Sequence, residues 1–430
     1  MNHQIFNIAI PSIVSNVTVP LLALADTTIV GHLGAASYIG AIAVGGMIFN
    51  MVYWLFGFLR MGTGGLTAQA YGAADSVECL RVLLRSLMLA ALVGVLMMVL
   101  QVPLADGVFR LVDATSEVER LARCYFFTLV WGAPAVLGLY SFNGWFLGMQ
   151  NARIPMLISI VQNVVNVCAS LCFVFGLGMK VEGVALGTLV AQYLGLLMAL
   201  AFWLCQYHPF HTMEWRDHLF VCEAWGRFFS VNRDIFLRTL CLISVTTCFT
   251  SCGAAQGDMV LAANALLMQF YIFFSYVMDG FAYAGEALGG RYCGACDVTR
   301  FRLLTRRLFF CGLCSTVLFT LVYALGARAI LQWLTDDAAV VDEAVNYIPY
   351  VACIPLASVA AFLFDGLFVG TTSTRYMLLS MMVAVGVFFG VLWLGGNGNV
   401  TLWIAFLLYL ACRGMVQAAF FPKVIRKIRA

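Results

Sequence analysis

Charge is what this chain lacks. Asp, Glu, Lys and Arg make up 10% of its residues, where soluble domains carry about 25%. That shortfall excludes a soluble globular fold. The net charge of +3 is too small to signal a nucleic-acid partner. No Gly-x-x-x-x-Gly-Lys stretch occurs, so drive by nucleotide hydrolysis is not expected. The five histidines are His3, His32, His208, His211 and His218, and no metal site or other cofactor is read from them. Lys and Arg are missing from Met1 to Asn7, and the first apolar run holds an acid and two prolines. It reads as a retained helix and not as a cleaved signal segment.

Cysteine is plentiful, at 15 residues, but its placement argues against a disulfide framework. Most lie inside apolar runs, as do Cys168, Cys172, Cys241 and Cys248, where Cys behaves as a small hydrophobe. Cys293-Gly-Ala-Cys296 has the spacing of a metal-ligand pair. It lacks a second pair or a nearby His, so packing is the reading taken.

Hydrocarbon fills the space that charge leaves, with 63% of residues hydrophobic. Apolar runs recur near 8–31, 38–59, 83–102, 121–149, 155–177, 184–205, 235–252, 259–282, 308–327, 347–369, 377–394 and 402–421. A helix needs roughly 20 apolar residues to cross a bilayer. The expectation is therefore an all-α polytopic membrane protein with about twelve spans, its main surroundings the lipid bilayer. The longest polar stretch joins the sixth and seventh runs. It predicts an N-terminal six-helix lobe over 1–206, a linker over 207–233, and a C-terminal six-helix lobe over 234–430 with a basic tail.

The two halves repeat. Asn143-Gly-Trp-Phe-Leu-Gly ends in Arg153, and Asp365-Gly-Leu-Phe-Val-Gly ends in Arg375, an offset of 222 (366 − 144). Tyr71-Gly-Ala-Ala-Asp75 matches Cys293-Gly-Ala-Cys-Asp297 at the same offset (294 − 72). A repeat unit of six spans gives both halves one orientation, as parallel repeats about an axis along the membrane normal. Such pairs of bundles usually enclose a substrate cavity, and one chain already supplies both halves, so a monomer is expected. One set of loops holds Arg81, Arg85, Arg153, Arg300 and the tail Lys423 to Arg429. The other holds only Arg110, Arg120, Arg123, Lys180 and Arg328, diluted by acids. The positive-inside rule then predicts a cytoplasmic-membrane protein with both termini cytoplasmic.

Asp26 is the only charged residue between Ile8 and Gly31. A carboxylate inside hydrocarbon is costly, and such groups usually mark an ion or substrate path. Pro11 and Pro20 lie in the same run, so this helix can kink. Asn166 and Ser170 are four residues apart and share a helix face, with Asn163 on the same side. If that face meets Asp26, the cluster offers one carboxylate among neutral oxygens.

Stretches through nearly the whole chain resemble the multidrug and toxic compound extrusion (MATE) family, most closely its DNA-damage-inducible protein F branch. They include Val19-Pro-Leu-Leu-Ala-Leu-Ala-Asp26, Gly31-His-Leu, Gly65-Leu-Thr-Ala-Gln-Ala70, Asn232-Arg-Asp-Ile235, Asp279-Gly-Phe-Ala-Tyr283 with Glu286, and Asp365-Gly. The resemblance implies a twelve-helix, two-lobe antiporter that exports organic, often cationic or otherwise amphipathic, compounds in exchange for H+ or Na+. It implies that Asp26 carries the coupling ion, that Pro11 is the hinge, and that Asn166 and Thr188 complete the site. Ser170 stands where the family's usual fifth-helix Asp precedes a stretch like Phe173-Val-Phe-Gly-Leu-Gly178, which leaves one carboxylate where two are common.

Plainer roles stand beside these. Asp26 can contact interfacial water near its helix end. Asn163, Asn166, Ser170 and Thr188 can be ordinary interhelical hydrogen bonders, worth about 0.6 kcal/mol each. Asp365 is either a second ion or substrate site or an interfacial acid paired with an Arg. Glu286 and Asp279 are further candidates, with helix capping and pairing to Arg291 as the alternatives. A lipid-linked precursor flippase of the same superfamily is the competing transporter. It favours a strongly cationic cavity, whereas Lys and Arg here read as confined to loops. An enzyme would need a second catalytic group beside Asp26, and none is found.

Overall fold

The computed structural model describes residues 1–31, 36–110, 115–208, 210, 219, 221–396 and 398–429. His32 and Leu33 of the Gly31-His-Leu stretch, and part of the expected linker, lie outside the described residues. All regular elements among the described residues are helical. Among the described residues twelve helices are long and apolar enough to cross a bilayer, and each coincides with one of the twelve expected runs to within a few residues or extends past it. In chain order they are Asn2–Gly31, Ser37–Gly72, Ser76–Val99, Ser116–Gly148, Arg153–Gly176, Val181–Gln206, Cys222–Ala254, Asp258–Gly294, Val298–Leu334, Ile348–Gly370, Thr374–Gly395 and Asn399–Ile428. Most extend past the apolar run by a turn or more, because their polar flanks can stay helical while keeping their charges in the interface. The first helix runs unbroken through Pro11 and Pro20. Neither proline can donate to the carbonyl four residues back, so both are points of local weakness.

The chain divides into two compact units. One holds Val14–Tyr71 and Asp75–Phe228; the other holds Met1–Ile13, Gly72–Ala74 and Phe229–Ala430. These units are drawn by packing, whereas the expected partition into 1–206, 207–233 and 234–430 is drawn by composition. Met1–Ile13 packs with the C-terminal half for identifiable reasons. Phe6 meets Phe281 edge-on at 6.2 Å, and the Tyr292 hydroxyl donates to Gln4 Oε1 at 3.2 Å. Gly280 lets the eighth helix lie against Ala9 and Ile13. At the other end, Phe228 is buried with Leu66 and Val82. That carries the N-terminal unit well beyond its sixth helix.

The repeat is visible in the geometry of each unit. The apolar cores of the fourth and tenth helices are 72% and 78% buried, against 22–39% for the rest, so each is the central helix of its unit. Gly144 lies against the Arg60 carbonyl, where a Cβ would sit 2.2 Å from the oxygen; Gly366 lies against the Ala282 carbonyl in the same way, at 2.1 Å. Arg60 and Ala282 are themselves 222 apart (282 − 60). The turns repeat as well. Ala74 and Cys296 take left-handed φ of 57° and 54°, and Gln150 and Thr372 take 66° and 48°. Asp75 caps the third helix by accepting from the Glu78 amide at 2.9 Å. Asp297 caps the ninth by accepting from the Arg300 amide at the same distance. A side-chain cap of this kind satisfies one of the orphan amides of a helix start.

Candidate functional site

Asp26 sits in the N-terminal unit and is 9% exposed. Its Oδ1 is buried without a hydrogen-bond donor among the described residues. An acceptor left in that state is costly, which distinguishes it from a carboxylate that merely caps or pairs. Its charge acts on Tyr125 of the fourth helix, whose hydroxyl is hydrogen-bonded to Thr188. Gly45 of the second helix makes room for that ring: a Cβ there would lie 2.5 Å from Tyr125 Cδ1.

From Thr188 the chain of contacts runs on. Asn166 Nδ2 donates to Thr188 Oγ1 at 3.0 Å, and Thr188 Oγ1 donates to the Val184 carbonyl at 3.0 Å. Ser170 Oγ donates to Asn166 Oδ1 at 3.5 Å. Asn166 and Ser170 are buried, as the shared helix face predicts, and Gly187 of the sixth helix packs directly on Ser170. Asn166, Ser170 and Thr188, three of the five residues singled out in the sequence, are therefore joined in one network, and the charge of Asp26 reaches it through Tyr125. Asn163 stands apart from it. Its Nδ2 donates to the Thr18 carbonyl at 3.3 Å, tying the fifth helix to the first.

Tyr125 escaped the sequence reading. It is one of 16 tyrosines, and nothing in its sequence neighbourhood marks it; only the packing of its ring against Gly45 singles it out.

The C-terminal unit holds a different cluster. Asp365 is buried and accepts from three side chains. Arg238 Nη2 donates at 2.5 Å, Gln417 Nε2 donates at 2.5 Å, and Arg413 Nη2 donates as well. Arg238 belongs to the seventh helix, and Arg413 is the fifteenth residue of the twelfth (413 − 398). This corrects the expectation that Lys and Arg keep to the loops. A long apolar segment hides one guanidinium from a hydropathy average, and the carboxylate that makes its burial tolerable lies 48 residues away. Glu286 is buried in the eighth helix, and its backbone carbonyl supports Gly370 of the tenth. Asp279 is half-buried and acts on Tyr271 and Tyr276. Neither joins the Asp365 ion pairs.

Twelve membrane-spanning helices in a duplicated pattern, with a buried carboxylate in one unit, define a polytopic membrane transporter. Comparison with known proteins gives the family. The chain matches the MatE family over residues 11–174 and 235–393, and it belongs to that family of multidrug and toxic compound transporters. It is 36% identical to DNA damage-inducible protein F of Escherichia coli over 424 residues, covering 97% of this chain and 91% of that one. It is 23% identical to the probable multidrug resistance protein NorM of Rhizobium meliloti, covering 94% and 90%. A MOP superfamily transporter from Pyrococcus furiosus shares the fold, with a TM-score of 0.86 at 20% identity and coverage of 99% and 96%. The protein is a transporter and not an enzyme.

Proposed function

We propose that this transporter is an ion-coupled antiporter exporting organic, often cationic, compounds by alternating access, with a proton as the coupling ion at Asp26. The observation that carries this reading is the buried, donor-free Asp26 Oδ1. The neutral oxygens nearby are engaged with one another through Tyr125, Thr188, Asn166 and Ser170. One proton satisfies a carboxyl so placed, whereas Na+ wants several free oxygen ligands. Proton loading from outside neutralises Asp26, the first helix bends at Pro11, and affinity for the outgoing cation falls. Release on the inner side restores the charge and the substrate site. Coupling of this kind requires that proton and substrate bind the two states unequally. The transporter acts as a monomer in the cytoplasmic membrane with both termini inside.

Asp26→Asn tests the assignment. The variant should insert and express as the parent does, while ethidium accumulation in cells rises to that of cells lacking the transporter. Undiminished ethidium extrusion by the variant would remove Asp26 from the mechanism. The buried Arg413 and the part-buried Arg238 favour a second reading, export of an amphiphile with an anionic head.

A further inference from the structure

Arg238, Asp365 and Arg413 carry two positive charges and one negative inside the apolar part of the C-terminal unit. Among the described residues both guanidiniums have the same single ion-pair partner, Asp365. Within ion-pair distance the cluster therefore sets two guanidiniums against one carboxylate, an imbalance that hydrocarbon and protein interior both penalise; Asp279 acts on Tyr271, as both arginines do. Its donors are not exhausted. Arg238 Nε and Arg413 Nε are buried without acceptors, although Arg413 is only 1% exposed. Tyr409 is hydrogen-bonded to Arg413, and the Phe362 ring lies 5.9 Å from its guanidinium carbon; both leave the charge intact. Arg238 is the more open of the two, with 11% of its side chain accessible.

The duplicated architecture shows that packing does not demand these charges. The residue that repeats Asp365 at the offset of 222 is Asn143 (365 − 222). It precedes the same close glycine contact and the same left-handed turn. The fold thus builds this corner with a neutral residue in one half and an excess of positive charge in the other.

We propose that the Arg238–Asp365–Arg413 cluster is a binding subsite for an anionic head group, a carboxylate or phosphate carried on an apolar body. Forked guanidinium donors suit both oxyanions, and the aromatic wall of Phe362 and Tyr271 suits the apolar portion. Asp365 holds the two arginines together and cancels one charge, so that a single anionic group completes the balance. The inference rests on the transporter reading but not on the coupling ion.

The test is equilibrium binding to the full chain in phosphatidylcholine nanodiscs, with no gradient imposed. Two probes separate the sources of the anion: dansyl-undecanoate for a free carboxylate amphiphile, and a fluorescent lysophosphatidylglycerol for a lipid phosphate. Saturable binding of at least one is expected. Arg238→Gln leaves Asp365 and Arg413 as a neutral pair and should weaken that binding about tenfold, the loss of one charge-assisted contact. Arg238→Lys should recover most of it. Asp365→Asn, where it folds, should bind at least as tightly as the parent. Absence of saturable binding of both probes would overturn the proposal, as would equal affinity in Arg238→Gln. A cation-only or Na+-driven transporter that still binds the probe through Arg238 would overturn the coupling reading and leave this one standing.

Discussion

Asp26 differs from the acids that ion pairs hold in this transporter's interior. Asp365 is held by two arginines and a glutamine, and Asp234 by Arg233 and Thr374. Asp26 Oδ1 is buried without a donor among the described residues, and its charge acts on Tyr125, whose hydroxyl is bonded to Thr188. Tyr125 is then the link between the acid and the Thr188–Asn166–Ser170 chain. Tyr125→Phe keeps the ring against Gly45 and removes only the hydroxyl. Its cost in stability should be near 0.6 kcal/mol, that of one interhelical hydrogen bond, read by thermal unfolding in detergent. Its initial efflux rate should fall several-fold in vesicles. An unchanged rate would mean that the hydroxyl plays no part in the acid's proton exchange. At this scale the sequence was partly legible. An acid in a long apolar run stands out by itself, and Asn166 and Ser170 announce a shared face by spacing. Tyr125, Arg238 and Arg413 did not stand out, because their roles depend on partners brought close only by folding.

Helices four and ten show how the elements are built. Each runs through the centre of its unit, and each presents a glycine where another helix's carbonyl comes too close for a side chain. Gly144→Ala and Gly366→Ala should therefore destabilise by about 1–3 kcal/mol each, the usual penalty of overpacking. The repeat predicts that the two penalties are similar, and denaturation of each variant in the same detergent checks it. A loss confined to one would show that the two corners differ in their freedom to relax. This level was the most legible in the sequence. Twelve apolar runs, two paired Gly-containing stretches and two paired helix starts are local signals, and each is enforced by local physics: hydrocarbon thickness, close backbone approach, and the capping of orphan amides. The true helix ends were less legible, since polar flanks continue a helix beyond the membrane without changing its hydropathy.

For the molecule as a whole, the duplicated sequence is not two equivalent machines. Among the described residues the N-terminal unit holds one buried acid, Asp26, and the C-terminal unit holds Asp234, Glu286 and Asp365, the last paired with Arg238 and Arg413. The opening thirteen residues of the first helix pack with the C-terminal half, while the stretch that bears Asp26 belongs to the other. No polar linker marks that division, which falls two residues after Pro11, so composition could not reveal it. A proton taken up at Asp26 would thus act on the helix that carries Pro11 and Pro20. The most direct test of ion coupling through this residue is ethidium efflux from proteoliposomes containing only the pure transporter. Either a pH gradient or a Na+ gradient is imposed. The account predicts efflux driven by the pH gradient alone and abolished in Asp26→Asn. Efflux driven by Na+ alone, or a pH-driven flux that survives in Asp26→Asn, would contradict it.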